Sequence, residues 1–149
     1  VYDNLVLGAY TRWNRERAAV LSEFDEIFEQ FPRLKERLHQ RAGSLSGGEQ
    51  QMLAIARGLL SKPALLMIDE LSLGLAPKIV EQLMTLLSNL NAKGQTILLV
   101  EQLASHALAI ADHAYVIGHG KVERHGDAKT LARSPEVMEA FLGKKRKSN

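Results

Sequence analysis

The segment Leu45-Ser46-Gly47-Gly48-Glu49-Gln50 combines residue types that can hold a phosphate. Ser46 is placed as the N-cap of a predicted helix, and Glu49 stands three residues on, the spacing of a capping box. The glycines between them leave backbone N–H groups uncovered at the positive end of a helix dipole, where a phosphate is favoured. An ordinary capped helix has the same signature. About twenty residues later, Asp69 and Glu70 close a short apolar run. If that run is a strand, both carboxylates fall at its C-terminal edge, the place where open α/β sheets bind ligands. A strand-end Asp can hold Mg²⁺ directly or through water, and a neighbouring Glu can orient and deprotonate an attacking water. Two acids in a solvated turn are the plainer reading of the pair alone, and the glycine segment upstream favours the chemical one.

The elements that must position these residues can be read from apolar spacing. From Asn14 to Phe31 the residues Val20, Leu21, Phe24, Ile27, Phe28 and Phe31 recur at helical intervals, and Pro32 stops the pattern. Its aromatic stripe reads as core, with a face for a partner protein as the alternative. After the break RAGSLSGG a second helix begins, with Met52, Leu53, Ile55, Ala56, Leu59 and Leu60 on its buried face. Ala64 to Asp69 and Thr96 to Glu101 are short uninterrupted apolar runs, which suit strands covered on both faces in a parallel sheet. Between them Pro77 stands at a first helical position, Ile79, Val80, Leu83, Leu86, Leu87 and Leu90 line one side, and Gly94 ends the helix. Strand, helix, strand predicts a right-handed βαβ crossover. Leu103 to Ala111 then reads as helix, AYVIGHGKVERHG as two short strands around His119 and Gly120, and small helices start from Asp127 and Ser134.

At 149 residues and 46% hydrophobic composition the chain can bury one substantial core. There is no cysteine, so disulfides, thiolate metal sites and thiol catalysis are excluded, and a reducing compartment fits. No run approaches the roughly 20 apolar residues of a membrane span, and the first residues lack a secretory pattern. Of the formal charge of +2, four positive charges sit in Lys144, Lys145, Arg146 and Lys147, leaving the remainder at −2. That tail is expected to be a solvated, disordered end, and no nucleic-acid partner is expected. His39, His106, His113, His119 and His125 show no metal spacing.

Taken together, LSGGEQQ, ARGLLSKPALLMIDE and SLGLAP resemble the signature motif, Walker B strand and D-loop of ATP-binding cassette proteins. The likeness covers nearly the whole chain. Within that superfamily, TRW preceded by DNLVLGAY, the SLGLAP loop and ILLVEQ are most similar to the ATPase subunits of bacterial branched-chain amino-acid importers. The resemblance implies an α/β fold: a partial P-loop NTPase core of the RecA-like kind, with parallel strands, plus a helical lobe carrying the signature motif. It implies the cofactors ATP and Mg²⁺. Ser46, Gly47 and Gly48, with Glu49 completing the segment, would contact the γ-phosphate of ATP bound to an opposing subunit in a head-to-tail dimer. Asp69 would support Mg²⁺, Glu70 would be the general base, and Gln102 would hydrogen-bond the γ-phosphate at a position where many cassettes carry a histidine. Ser72, Leu73, Gly74 and Leu75 would cross the dimer interface. The helical lobe would touch the transmembrane permease subunits, on the cytoplasmic, inner face of the membrane.

On this basis residues 1–60 are expected to form the helical lobe ending in the signature helix, 61–142 the C-terminal part of the ATPase core, and 143–149 the basic tail. The phosphate-binding loop GxxxxGK[ST], the upstream aromatic adenine contact and the glutamine loop are absent from these residues. The natural polypeptide is therefore expected to start further upstream, and this chain alone is expected to be inactive. Leu71 replaces the proline that usually follows the catalytic Glu, and is expected to loosen the turn that sets Glu70. Two other readings fit part of the sequence. One is the C-terminal lobe of an ABC-type DNA-repair ATPase, which the missing heptads before Ser46 disfavour. The other is a non-catalytic fragment docking through Phe24 and Phe28.

Overall fold

Proline and glycine set the element boundaries. The computed structural model describes residues 1–137. The basic tail and the end of the last predicted helix lie outside the described residues. One compact unit runs from Val1 to Leu98, and a second begins at Leu99.

In the first unit, short helices α1 (Tyr2–Gly8) and α2 (Tyr10–Trp13) precede α3 (Arg17–Gln30) and α4 (Pro32–Glu36). The helix predicted from Asn14 starts instead at Arg17, because Asn14 to Glu16 finish the turn of α2, with the Arg15 and Glu16 amides donating to the Arg12 carbonyl. Pro32 does more than stop α3: it opens α4 at a first-turn position, where its missing N–H costs nothing. The aromatic stripe is core. Phe24 is 4% exposed and meets Tyr2 and Phe28 edge-on, with ring centroids 6.0 Å apart in each pair. Phe28 is 8% exposed, whereas Leu21, expected on the same stripe, faces solvent. Phe24 and Phe28 therefore cannot serve as a docking face: what they would offer a partner is already spent on α1 and α2.

Helix α5 (Gly47–Leu59) crosses α1 closely enough that a Cβ at Gly8 would fall on the backbone carbonyl of Arg57. Its C-terminal end is held by a charged network. Arg12 donates to the Leu60 carbonyl at 2.7 Å and forks onto the Glu23 carboxylate at 2.6 and 3.0 Å, while Lys62 reaches the same carboxylate at 2.5 Å. Arg12 and Glu23 are both largely buried, so this pairing is screened less than a surface ion pair.

Strands β1 (Leu65–Asp69) and β2 (Thr96–Val100) are parallel neighbours joined through α6 (Pro77–Ala92), the expected βαβ order. Pro77 occupies the first turn of α6. At its other end Gly94 has φ +96°, its amide donates to Asn91, and the Gln95 amide donates back to Leu90, which is a Schellman ending. Val80, Leu83, Met84, Leu87 and Leu90 are the buried face of α6. The strands depart from expectation in one respect. Leu66 is buried, but Leu65, Met67, Leu98 and Val100 stand exposed, so the described residues cover one side of this sheet and not both.

In the second unit α7 (Ala104–Ile110) precedes an antiparallel hairpin of β3 (His113–Gly118) and β4 (Lys121–Asp127), followed by α8 (Ala128–Ala132). His119 and Gly120 turn the hairpin with φ of +50° and +74°, the left-handed pair that matches strand twist. Asp127 caps α8 through the Thr130 amide. Leu108, Val116, Ala128, Leu131 and Val137 form the unit's core.

Glu23 provides a test of this framework. Hydrogen bonding from Arg12 holds its carboxyl below the ordinary carboxylate value. Its stabilisation is thus present above the ordinary carboxylate range and is lost as pH falls through the depressed value. Glu23→Gln is expected to lower stability at pH 7 by about 1–3 kcal/mol, and its deficit against the parent should shrink on acidification, as read by thermal melts at pH 7 and pH 3.

Candidate functional site

The predicted phosphate-holding segment lies at the start of α5. Ser46 is its N-cap, with extended backbone, and the capping box is complete. The Glu49 amide donates to the Ser46 hydroxyl oxygen at 3.4 Å, and the Glu49 carboxylate accepts from the Ser46 amide at 2.9 Å and its hydroxyl at 2.8 Å. The other Glu49 oxygen lies 2.8 Å from Arg37 Nε. Hydrogen bonds from Ser46, its amide contributing most, and the positive charge of Arg37 hold the Glu49 carboxyl below its ordinary value. Its carboxylate is thus engaged in shaping the turn. The approach to the helix is fixed by buried Leu45, whose carbonyl accepts from the Gln50 amide side chain at 3.0 Å.

A helix start leaves N–H groups without intrahelical partners. The capping box accounts for those of Ser46 and Glu49, which leaves Gly47 and Gly48 between them. Gly47 is exposed and Gly48 is buried. A Cβ at Gly47 would lie 3.2 Å from Leu75 Cδ2, and one at Gly48 only 2.6 Å from Ile79 Cγ2. The turn is therefore packed against the loop and helix that follow the acidic pair. Leu75 and Ile79 are residues that sequence reasoning did not associate with the glycines. Arg37 was missed for the same reason: it follows the end of α4, and its ion pair with Glu49 in α5 has no local spacing.

Asp69 ends β1 and is exposed, and Glu70 follows it, half-buried, with φ +47°. A left-handed conformation in a residue other than glycine costs roughly 1–2 kcal/mol and persists only where its surroundings impose it. The next residue, Leu71, is 1% exposed. Where a proline would stiffen the turn through its ring, a leucine side chain is buried instead. A proline there would also push the preceding residue toward extended backbone, away from the conformation Glu70 takes. Two successive turns continue the loop: the Leu73 amide donates to the Glu70 carbonyl and the Leu75 amide to the Ser72 carbonyl, each at 3.2 Å. Gly74 takes φ +73° between them.

The structure thus brings Ser46–Gly48 against the segment that begins at Glu70, all within the first unit. Gln102 belongs to the second unit, where it is exposed between β2 and α7. Among the described residues no group of three or more histidine, aspartate or glutamate side chains gathers to hold a metal. A single strand-end carboxylate such as Asp69 suits Mg²⁺, which keeps most of its waters and takes few protein ligands.

A family model described as ABC transporter matches residues 1–72, the stretch that includes the Ser46–Glu49 turn and the Asp69–Glu70 pair. Over 143 residues the chain is 47% identical to the high-affinity branched-chain amino acid transport ATP-binding protein BraG of Pseudomonas aeruginosa, covering 96% of this chain and 60% of the relative. Over nearly its whole length the chain is thus similar to ABC transporter ATP-binding proteins. It is also 37% identical to a probable branched-chain amino acid transport ATP-binding protein LivF of Archaeoglobus fulgidus, again covering 96% of this chain and 60% of the relative. Among solved structures it is similar to a nucleotide-free ATP-binding cassette from an ABC transporter, with a TM-score of 0.75 and 28% identity over 96% of this chain and 62% of the other. The fold is that of these cassettes. The chain spans about 60% of the length of the ABC relatives it matches. No helix among the described residues is long and apolar enough to cross a membrane.

Two substitutions test the local geometry. Ser46→Ala removes a capping acceptor and a donor to Glu49, and is expected to cost about 1 kcal/mol in urea unfolding. Leu71→Pro forces Glu70 out of its left-handed conformation and empties a buried site, so it is expected to cost more, about 2–4 kcal/mol in the same assay.

Proposed function

We propose that this chain contributes to a composite ATP site in an importer of branched-chain amino acids. The observation that carries the proposal is the start of α5, where a complete capping box shapes a two-glycine turn and leaves its amides to a ligand. The 47% identity to a branched-chain amino acid transport ATP-binding protein supports the transported class. We assign residues 1–60 to the helical lobe and 61–142 to the ATPase core.

In this reading Gly47 and Gly48 donate their amides to the terminal phosphate of ATP held by a second ATPase subunit, the Ser46 hydroxyl turns from Glu49 to join them, and the Ser46 amide with Glu49 and Arg37 keeps the turn in shape. Asp69 helps to hold Mg²⁺, which when bound neutralises phosphate charge. Glu70 orients a water and accepts its proton, and Gln102, in the second unit, is a neutral amide donor to a nucleotide phosphate. These carboxylates serve a nucleotide held by a phosphate-binding loop, which the 149 residues do not contain. The partners are a second ATPase subunit and the transmembrane permease subunits, and the place is the cytoplasmic, inner face of the membrane. The likeness to transport subunits favours this reading over a DNA-repair ATPase.

A complementation assay tests the proposal. The Pseudomonas aeruginosa relative, with its own signature turn inactivated but its phosphate loop intact, is mixed with this chain and ATP hydrolysis is measured. Hydrolysis should rise on mixing, fall on the order of a hundredfold with Ser46→Ala and Gly47→Ala together, and be unaffected by Glu70→Gln. No rise on mixing would reject the composite site.

A further inference from the structure

We infer that Ile79 is a positioning residue for the turn Ser46–Gly48, and that position 48 is glycine because the chain's own α6 occupies the place of its Cβ. The functional part of this inference rests on the proposed nucleotide contact, while the packing part stands without it.

The steric observation is specific. A Cβ at Gly48 would approach Ile79 Cγ2 to 2.6 Å, closer than carbon atoms tolerate. Ile79 cannot swing away cheaply. It is β-branched and helical, so its χ1 has one strongly preferred well, and Cγ2 is the branch attached directly to Cβ. The backbone beneath it is equally constrained. Pro77 fixes the first turn of α6, and Val80, Leu83 and Met84 bury the next positions. Leu75 stands against Gly47 from the same direction, 3.2 Å from where its Cβ would be.

The seat also comes from a telling part of the chain. Leu75 and Ile79 belong to the segment that leaves Glu70 through two hydrogen-bonded turns and enters α6. The surface offered to a partner's phosphate is thereby built on the stretch that fixes this subunit's own carboxylates. Ligand approach explains an exposed glycine such as Gly47, and does not explain a buried one.

The test separates Cγ2 from side-chain volume. Ile79→Leu keeps the carbon count and removes the branch, whereas Ile79→Val keeps the branch and removes the Cδ1 methyl. On the unaltered chain length, Gly48→Ala is expected to lower Tm by roughly 4 °C or more and to increase amide exchange across residues 46–50. Adding Ile79→Leu should recover at least half of both losses, and adding Ile79→Val should recover neither. Losses in the Gly48→Ala, Ile79→Leu double variant that equal the sum of the singles would overturn the packing. In the complementation assay, Gly48→Ala should abolish the rise in hydrolysis and Ile79→Leu should restore it in that background. Recovered exchange protection without recovered hydrolysis would overturn the positioning role. An unsubstituted chain that fails to stimulate would reject the composite site, leaving melting and exchange to decide the packing.

Discussion

A helix that begins at the surface must dispose of its first N–H groups, and the rest of this site is organised around how α5 does so. Closing all of them internally would leave nothing to offer a phosphate. Leaving all of them open would let the first turn fray. Here Ser46 and Glu49 close two reciprocally, Arg37 pairs with Glu49 from the end of α4, and the glycines between lie against α6 and its preceding loop. The turn is thereby rigid without being filled, which is the state a preformed anion site requires.

The opposite end of α5 is tied down as firmly. Arg12 takes the Leu60 carbonyl, one of the acceptors a helix end leaves unmade, and passes the load to Glu23 and Lys62. Between its two ends the helix buries Leu53, Ile55 and Ala56 and crosses α1 at Gly8 with no space for a side chain. Charge therefore locates the ends of α5 and apolar packing locates its length. Replacing the charged groups with apolar ones of equal volume would keep the helix buried but would not fix its axial position, since apolar contact is not directional.

Features written into consecutive residues were legible in the sequence. Ser46 with Glu49 gives a cap, Pro77 a helix start, Gly94 a helix end and His119-Gly120 a hairpin turn, and each is found where the local chemistry places it. What was not legible depends on residues distant in the chain. The uninterrupted apolar runs of β1 and β2 identify strands but cannot reveal that Leu65 and Met67 face outward, because such a run looks the same whether one or both sides are covered. The stripe in α3 reads as core from its spacing alone, but the spacing cannot name Tyr2 and Trp13 as the residues that pack against Phe24. The turn at Glu70 shows the same limit: a leucine where a proline is usual carries no local sign that its side chain is buried.

The left-handed backbone at Glu70 bears on how such a chain could change over evolutionary time. At φ +47° a glycine is relaxed where a glutamate is strained, and asparagine and aspartate are tolerated better than most residues. A single-base change from glutamate to glycine would thus relieve the backbone at this point while deleting the carboxylate. Backbone conformation and side-chain chemistry make opposite demands on this position, and drift toward glycine would be opposed only by what the carboxylate does.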